Sequence, residues 1–378
     1  MKKLLTIFIL TLLAACSGKE SESIEQKNIL ENLTYSVDTV VVDPGDEIIN
    51  LQYGLNSFEL SPDRKSLFIY DFQQTLFQKI DLEQMVLEGT YHFEKEGPNG
   101  IGRSFSFQVL SDEKLMIPAV PNSGIFNLQG ELLTRINLKP EEIAGLGEIN
   151  AFSILNELVL YPETGMLYSL PGDFLVGSRD LAKIDPENMQ GVTIKLPEME
   201  KAKNFRIYWN SETGGSIQTE YYSLKLFNNK LYITCTVGSG IYRYDPIIDS
   251  LEYVDFNHQI IPNEKTGEVL NEVSTEKDFW IEYRKVAGQI SYRELMWDNQ
   301  ISRFYRFASK TILGETRQDP AAYEVYLLAY DKDLNLVGET LLEGFNQFPQ
   351  SYFFKDGKLY SYVNVEDELG FAVFTFNF

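Results

Sequence analysis

The fold of this chain is decided by one recurring kind of stretch, and its clearest copy reads SLKLFNNKLYITCT, residues 223–236. Apolar and polar side chains alternate on both sides of Asn228-Asn229, as expected of two strands that each bury one face. The two Asn residues can adopt the positive φ angles of a two-residue turn. The stretch therefore predicts a β-hairpin, with Cys235 on its packed face as a small apolar residue.

Two short motifs recur along the rest of the sequence, each six times and always in alternation. The first is a turn rich in Asp, Asn, Lys or Gly that leads into a strand, at residues 63–68, 112–116, 163–168, 229–232, 298–305 and 356–360. The second is a strand end followed by Asp or Asn, at Ile80-Asp81, Phe126-Asn127, Ile184-Asp185, Tyr244-Asp245, Tyr330-Asp331 and Phe376-Asn377. An interleaved repeat of this kind is typical of stacked antiparallel sheets.

The repeat predicts an all-β protein with a single six-bladed β-propeller over residues 34–378. A blade of four strands needs about 40 to 50 residues, so six blades with insertions fit this length. The aromatic content of 13% favours strands over helices. We expect a strand at 35–42 to pair with the final hairpin at 371–378, because circular closure removes exposed sheet edges.

Two segments interrupt the repeat. Residues 198–220 are polar and contain Gly, and they predict a long loop. The second half of 257–288 predicts one short helix, with Thr275 as the N-cap, Asp278 completing a capping box and Gly288 as the stop. We expect this helix on the outside of the propeller or over one of its mouths.

The first residues predict where the protein is located in the cell. Lys2 and Lys3 precede a short apolar run, so residues 1–15 predict a signal peptide. The run ends in Leu13-Ala14-Ala15-Cys16, which resembles the bacterial lipobox and implies that Cys16 is lipidated. Residues 16–33 are polar and charged, and they predict a flexible tether. The hypothesis is an outer membrane lipoprotein that faces the periplasm or the outside.

Charge and composition exclude several functions. The net charge of −22 repels phosphate backbones, so nucleic acid is not an expected partner. The sequence has only two Cys and two His, which is too few for zinc, haem or iron–sulfur sites. We therefore expect no metal and no cofactor. The segment 331–335 imitates the start of a calcium loop, but Leu336 occupies the position that requires Gly, so a hairpin turn is the better interpretation.

These features together carry a resemblance to a known family. The chain is similar to an uncharacterised family of Bacteroidetes lipoproteins, a domain of unknown function with a TolB-like six-bladed β-propeller. The similarity rests on the lipobox and on four segments, at residues 35–42, 43–45, 94–102 and 297–307. The resemblance implies the fold and the address, and it transfers no catalytic residue.

Two regions are candidate ligand sites. Three Gly and one Pro in the loop 97–102 can turn backbone amides inward to hold an anion, with Arg103 at the edge; the alternative is a tight connection between blades. Arg303 and Arg306 lie on opposite faces of one aromatic strand. Because both faces of a blade are packed, each Arg must meet a carboxylate or reach the channel. This stretch could hold an acidic or sugar ligand; the alternative is structural pairing within the fold.

No catalytic motif is present in the sequence, which lacks a G-x-S-x-G elbow and an H-x-x-x-H pair. The function hypothesis is a lipid-anchored binding or scaffolding module for a peptide, a glycan or a partner protein, rather than an enzyme. The alternative is a carbohydrate-active hydrolase or lyase that uses carboxylates in the channel, since such pairs leave no sequence spacing. A purely structural envelope component is the third reading.

Overall fold

Four-stranded antiparallel sheets dominate the molecule. The computed structural model describes residues 28–110, 113–119, 123–150, 152–173, 177, 179–212, 214–316 and 319–377. Within these residues the chain forms six four-stranded sheets, one three-stranded sheet and one α-helix. The prediction of an all-β fold is confirmed.

We number the four-stranded sheets in chain order. Sheet 1 contains the strands Phe58–Leu60, Ser66–Asp71, Leu76–Asp81 and Val86–His92. Sheet 2 contains Gln108–Val109, Leu115–Ile117, Gly124–Phe126 and Leu132–Arg135. Sheet 3 contains Val159–Leu160, Leu167–Ser169, Leu181–Asp185 and Gln190–Ile194. Sheet 4 contains Tyr222–Phe227, Lys230–Cys235, Ile241–Asp245 and Ser250–Val254. Sheet 5 contains Ser291–Asp298, Arg303–Ile312, Ala322–Asp331 and Leu336–Leu341. Sheet 6 contains Tyr352–Lys355, Lys358–Val365, Glu368–Asn377 and Thr34–Val41.

The two sequence motifs mark the same places in every sheet. The first motif leads into the second strand, and Asn228 and Asn229 have φ angles of 49° and 59°, as the predicted two-residue turn requires. The second motif ends the third strand. There the Asp81 carboxylate accepts hydrogen bonds from the backbone N–H groups of Glu83 at 2.7 Å and Gln84 at 2.9 Å. The recurring Asp thus stabilises the turn into the fourth strand.

Buried apolar side chains fill the space between successive sheets. Each of the clusters in the described chain joins one sheet to the next, from the pair 1 and 2 to the pair 5 and 6. A further cluster packs Phe353 and Tyr360 of sheet 6 against Leu67 and Ile69 of sheet 1. Full burial of such a side chain stabilises the fold by about 1.5–3 kcal/mol. The packing therefore returns to the sheet where it began.

The strand Thr34–Val41 closes this cycle. It pairs antiparallel with Glu368–Asn377, with Tyr35 opposite Phe376 and Val41 opposite Gly370. Sheet 6 therefore combines strands from both ends of the described chain. The predicted pairing of the segments near 35–42 and 371–378 is confirmed for the residues that the structure describes.

The strand directions give the cycle two distinct ends. Turns between the second and third strands lie at the same end as the connections from one sheet to the next, which we call the upper end. Turns between strands 1 and 2, and between strands 3 and 4, lie at the lower end. The first strands touch between sheets 1 and 2, 3 and 4, 4 and 5, and 5 and 6, so these strands surround the central space.

The connection from sheet 3 to sheet 4 corrects a prediction. The expected long loop at 198–220 instead contains the 3-10 helix Pro197–Phe205 and a hairpin of the strands Ile207–Ser211 and Gly214–Gln218. The short strand Glu272–Val273 from the next connection adds in parallel to form the three-stranded sheet. The polar composition hid the hairpin, and the strand Glu272–Val273 pairs with a partner that is distant in sequence.

The predicted helix is confirmed at Glu276–Ala287. The Thr275 hydroxyl accepts a hydrogen bond from the Asp278 N–H at 3.1 Å, which completes the N-cap. Phe279 and Val286 are buried against the same apolar cluster as Val269. The helix and the three-stranded sheet thus form one insert at the upper end. Among the described residues, no helix has the length and apolar character needed to cross a membrane.

Candidate functional site

The structure does not bring the three predicted arginines together. Arg103 is exposed in the connection from sheet 1 to sheet 2, at the upper end. Arg303 begins the second strand of sheet 5, at the lower end, where it pairs in register with Asp298 and Asp331. Arg306 lies in the middle of the same strand and is fully buried. They therefore cannot form a single pocket.

Arg306 is a structural residue. Its Nε donates to the Arg293 carbonyl and its Nη1 to the Ser239 carbonyl, both at 2.5 Å. Its Nη2 donates to the carbonyls of Cys235 at 3.2 Å and Gly238 at 3.3 Å. Sequence reasoning expected a carboxylate or the channel as its partner, whereas backbone oxygens from the turn of sheet 4 take that role. Because its exposed fraction is 0%, we do not retain Arg306 as a ligand-binding residue.

Two further buried polar pairs flank Arg306, and with it they form what we call the sheet 4–5 junction: Arg306, Glu220, Lys265, His258 and Glu339. The Lys265 ammonium lies 2.5 Å from a Glu220 carboxylate oxygen, and both side chains are buried. His258 Nδ1 lies 2.9 Å from a Glu339 carboxylate oxygen. These pairs hold the connection from sheet 4 to sheet 5 against its neighbours.

The glycine-rich loop uses its amides internally. The Ile101 N–H donates to the Glu94 carbonyl at 2.9 Å, and the Gly102 N–H donates to the Lys95 carbonyl at 3.0 Å. A Cβ atom at Gly100 would lie 2.6 Å from the Glu96 backbone, which explains the need for Gly there. The loop is therefore a tight connection between sheets, in which the N–H groups of Gly100, Ile101 and Gly102 are already bonded to carbonyls of the loop and its flanks.

Beside this loop, the upper end presents an aromatic platform made of Tyr53, Phe72 and Phe105. The three side chains are 53%, 42% and 57% exposed. Phe72 is the central ring, with its centroid 6.3 Å from Tyr53 and 5.8 Å from Phe105. Exposed rings rarely cluster unless they serve recognition. Tyr53 lies in the connection before sheet 1, Phe72 in the upper turn of sheet 1, and Phe105 in the connection after it.

Arg103 lies at one end of the platform, with its guanidinium carbon 5.0 Å from the centre of the Phe105 ring. No carboxylate of the described residues lies within ion-pair distance of it. The nearby Asp71 carboxylate is occupied by the Asn50 amide at 2.8 Å and by the Gln73 N–H at 2.8 Å. The cation therefore faces solvent beside the rings.

The platform side chains were missed by sequence reasoning. Each ring stands in a short turn or connection outside the strand alternation, so periodicity assigns it no partner. The available signal is an aromatic residue placed directly among turn residues, as in Tyr53-Gly54 and Asp71-Phe72-Gln73. Only the closed cycle of sheets brings residues 53, 72 and 105 to one surface.

The central space holds a charged cluster. The Lys225 ammonium of sheet 4 lies 3.4 Å from a Glu59 carboxylate oxygen of sheet 1. Sheets 1 and 4 face each other across the cycle, so this pair spans the channel. Burial raises the pKa of Glu157, and the charges of Glu59 and Glu294 add to the shift, while Lys225 and the Leu224 N–H oppose it. A carboxyl with a raised pKa is one requirement for a general acid.

The remaining predicted sites are simple to place. The segment 331–335 forms a turn in which the Asp331 carboxylate accepts from the N–H groups of Asp333 and Asn335. No group of three or more potential ligands for a metal occurs in the described part of the chain. Cys235 is buried, as predicted. Cys16 lies outside the described residues.

Comparison with known proteins supports the fold. A crystal structure of a DUF4221 member from Bacteroides vulgatus is 15% identical and has a TM-score of 0.63, covering 91% of this chain and 98% of its own. A candidate exported protein from Bacteroides fragilis is 9% identical with a TM-score of 0.53, covering 91% and 95%. The β-propeller domain of Cps50 from Myceliophteria thermophila matches more distantly, at 8% identity and a TM-score of 0.39, covering 89% and 99%.

The family itself follows from the sequence. No curated protein matches the chain. Residues 26–341, which include all of sheets 1 to 5, match the model of a domain of unknown function, DUF4221. Because this match spans most of the chain, the protein belongs to the DUF4221 family.

Proposed function

We propose that the six four-stranded sheets are the blades of one TolB-like β-propeller over residues 34–378. The cyclic order of the apolar clusters supports this architecture, as does the closing strand Thr34–Val41. The three-stranded sheet belongs to the insert because its strands come from the connections around sheet 4. An experimental structure with a seventh four-stranded blade, or with a gap between sheets 6 and 1, would contradict this architecture.

The address proposed here is the outer membrane, through a lipid on Cys16. The lipobox at 13–16 and the polar tether at 16–33 support it. The test is to fractionate cells that express the wild type or Cys16→Ser. The variant should move from the membrane to the soluble fraction, and Cys235→Ser, the matched control, should not. Equal sedimentation of wild type and Cys16→Ser would reject lipid anchoring.

At this address the protein acts as a binding or scaffolding module for a glycan, a peptide or a partner protein. The aromatic platform beside Arg103 carries this proposal, because it is a solvent-facing cluster of three rings with a cation that has no carboxylate beside it in the described chain. Binding sites commonly lie on loops positioned by a rigid scaffold. The upper ends of the sheets supply this scaffold.

The platform is a better binding site than the channel. The Lys225–Glu59 pair crosses the central space, and Gln108 of sheet 2 is bonded to the backbone of Leu160 in sheet 3. These contacts hold the first strands together around the axis. A ligand on the platform meets no such barrier.

The experiment is chemical crosslinking in intact envelopes, comparing the wild type with Arg103→Ala and Phe105→Ala. Both variants should lose crosslinks that the wild type forms. Phe152→Ala, another exposed Phe at 70% exposure, and Arg303→Ala at the lower end should keep them. Unchanged crosslinks in both platform variants would place the binding surface elsewhere.

A carbohydrate-active hydrolase or lyase is the second candidate, favoured by the pKa of Glu157, which burial raises and the charges of Glu59 and Glu294 raise further. Its test is turnover of oligosaccharides by wild type and by Glu157→Gln. A hydrolase requires turnover that the variant loses. Oligosaccharide that binds the wild type and stays intact would exclude this function and leave the binding module in place.

A further inference from the structure

We infer that the platform binds a saccharide that carries a carboxylate. This inference rests on the proposed function, since it names the ligand class for the same surface. Three features of the platform lead to it: the open faces of the rings, the polar side chains around them, and the isolated positive charge at one end.

The rings suit the flat face of a sugar. The negative face of an aromatic ring attracts the C–H groups of a pyranose, whose hydrogens carry partial positive charge. Tyr53 and Phe72 are nearly parallel, with an interplanar angle of 27°. Phe72 in turn meets Phe105 at 61°. The result is an open, stepped surface, whereas the anchor side chains of a partner protein usually fill a closed pocket.

Amide and hydroxyl groups surround the rings. The Gln73 amide donates to the Tyr53 hydroxyl at 3.2 Å, and the Asn56 amide donates to the Tyr53 carbonyl. Gln52 and Gln74 are exposed in the same turns. Amides both donate and accept hydrogen bonds, so they match the hydroxyl groups of a sugar. A surface for an apolar peptide would favour aliphatic side chains in these positions.

The charge points to an acidic sugar. The whole chain carries a net charge of −22, and the platform loops hold five carboxylates besides Asp71, those of Asp43, Asp46, Glu47, Glu94 and Glu96. Asp71 is already occupied, and no carboxylate of the described residues forms an ion pair with Arg103. A guanidinium can hold a carboxylate through two parallel hydrogen bonds. Because Arg103 covers part of Phe105, the sugar ring would stack on Phe72 and Tyr53 while its carboxylate meets Arg103.

The test uses matched ligands that differ only in charge. Binding of the purified full-length protein is measured against an array of uronic-acid and sialic-acid oligosaccharides and against the methyl esters of the same compounds. At least one acid should bind the wild type more tightly than its ester. Arg103→Gln should weaken binding of the acid about tenfold or more and leave the ester unchanged. Arg284→Gln, an exposed arginine of the helix Glu276–Ala287, is the control.

Variants of the rings separate stacking from charge. Phe72→Ala should weaken binding of both acid and ester, whereas Phe152→Ala should affect neither. The inference is overturned if no acid on the array binds, or if binding is indifferent to Arg103→Gln and Phe72→Ala. A peptide or protein crosslink that these two variants abolish, together with a silent array, would reject the saccharide and keep the platform as a binding site.

Discussion

Two regions of this protein contain arginine and aromatic rings, and they use them in opposite ways. At the sheet 4–5 junction, Arg306 packs over the Tyr292 ring at 5.0 Å, and carbonyl oxygens surround its donors. At the platform, Arg103 lies at the same distance from Phe105, but both residues are exposed. The same pair of residue types thus stabilises the fold in one region and faces solvent in the other.

The difference teaches that position along a strand matters more than residue type. Arg306 stands in the middle of a ten-residue strand, where sheets pack on both faces, so its charge must be satisfied internally. Arg103 stands in a connection between sheets, where only one side is covered. Variants that disturb the junction should lower stability, and variants of the platform should not.

The largest effect is expected for Lys265→Met. The change leaves the Glu220 carboxylate buried without its cation, which costs about 3–5 kcal/mol of unfolding free energy. Urea denaturation followed by circular dichroism measures this loss. The double variant Lys265→Met/Glu220→Leu removes both charges and should recover part of it. A single variant as stable as the wild type would show that the pair is not buried.

Arg306→Met should come next. It removes the donors for four backbone carbonyls, of Arg293, Ser239, Cys235 and Gly238. Unsatisfied buried acceptors cost about 1–3 kcal/mol each, and partial relaxation leaves an expected loss of about 3 kcal/mol. Arg303→Met on the same strand is the control, with a smaller loss expected in the same urea experiment. Equal losses would remove the distinction between these two positions.

The acid stability of the junction depends on Glu339. Burial alone would raise the pKa of this carboxyl, but hydrogen bonds from His258 and the Gln259 N–H outweigh it and lower the pKa. A lowered folded pKa adds stability above the ordinary Glu value of about 4.3, and this stability is lost as the pH falls through the folded value. At pH values below the folded pKa of Glu339, the Glu339→Gln variant should therefore have nearly the stability of the wild type. Thermal unfolding of both proteins across pH measures this convergence. A stability difference between wild type and variant that stays the same at all pH values would contradict the linkage.

Cys235 tests burial without changing stability. Burial, with the nearby Glu220 charge, raises the pKa of its thiol to about 12, so very little thiolate forms at neutral pH. We expect a thiol reagent to label Cys235 slowly in the native protein and rapidly in denaturant. The measurement uses Cys16→Ser, so that only one cysteine reports. Fast native labelling would indicate local opening of the strand Lys230–Cys235.

The smallest stability effect is expected at the platform. Phe105→Ala removes a ring that is 57% exposed, and its contact with Phe72 is worth about 0.5–1.5 kcal/mol at most. Arg103→Ala should change the unfolding free energy by less than about 0.5 kcal/mol. Denaturation in urea compares both with Phe152→Ala. A loss as large as that of Arg306→Met would mean that the platform is structural.

Local chemistry explains how far prediction from sequence succeeded. The hairpin around Asn228-Asn229, the Asp turns and the Thr275 cap depend on residues within a few positions of one another, so they were predicted correctly. The strand Glu272–Val273 was not, because it pairs with Ile207–Ser211 across about sixty residues and one whole sheet. The partner of Arg306 was also missed, since backbone carbonyls carry no sequence signature.

The sequence by itself determined the repeat, the all-β class and the turn at each strand end, because alternation and turn chemistry act over short distances. Only the tertiary structure decided which charges are internal and which face solvent. Lys225 meets Glu59 across the central space, and Tyr53, Phe72 and Phe105 share one surface, because a closed cycle of sheets brings together residues that are far apart along the chain. Burial and pairing are properties of that closure, which no local pattern encodes.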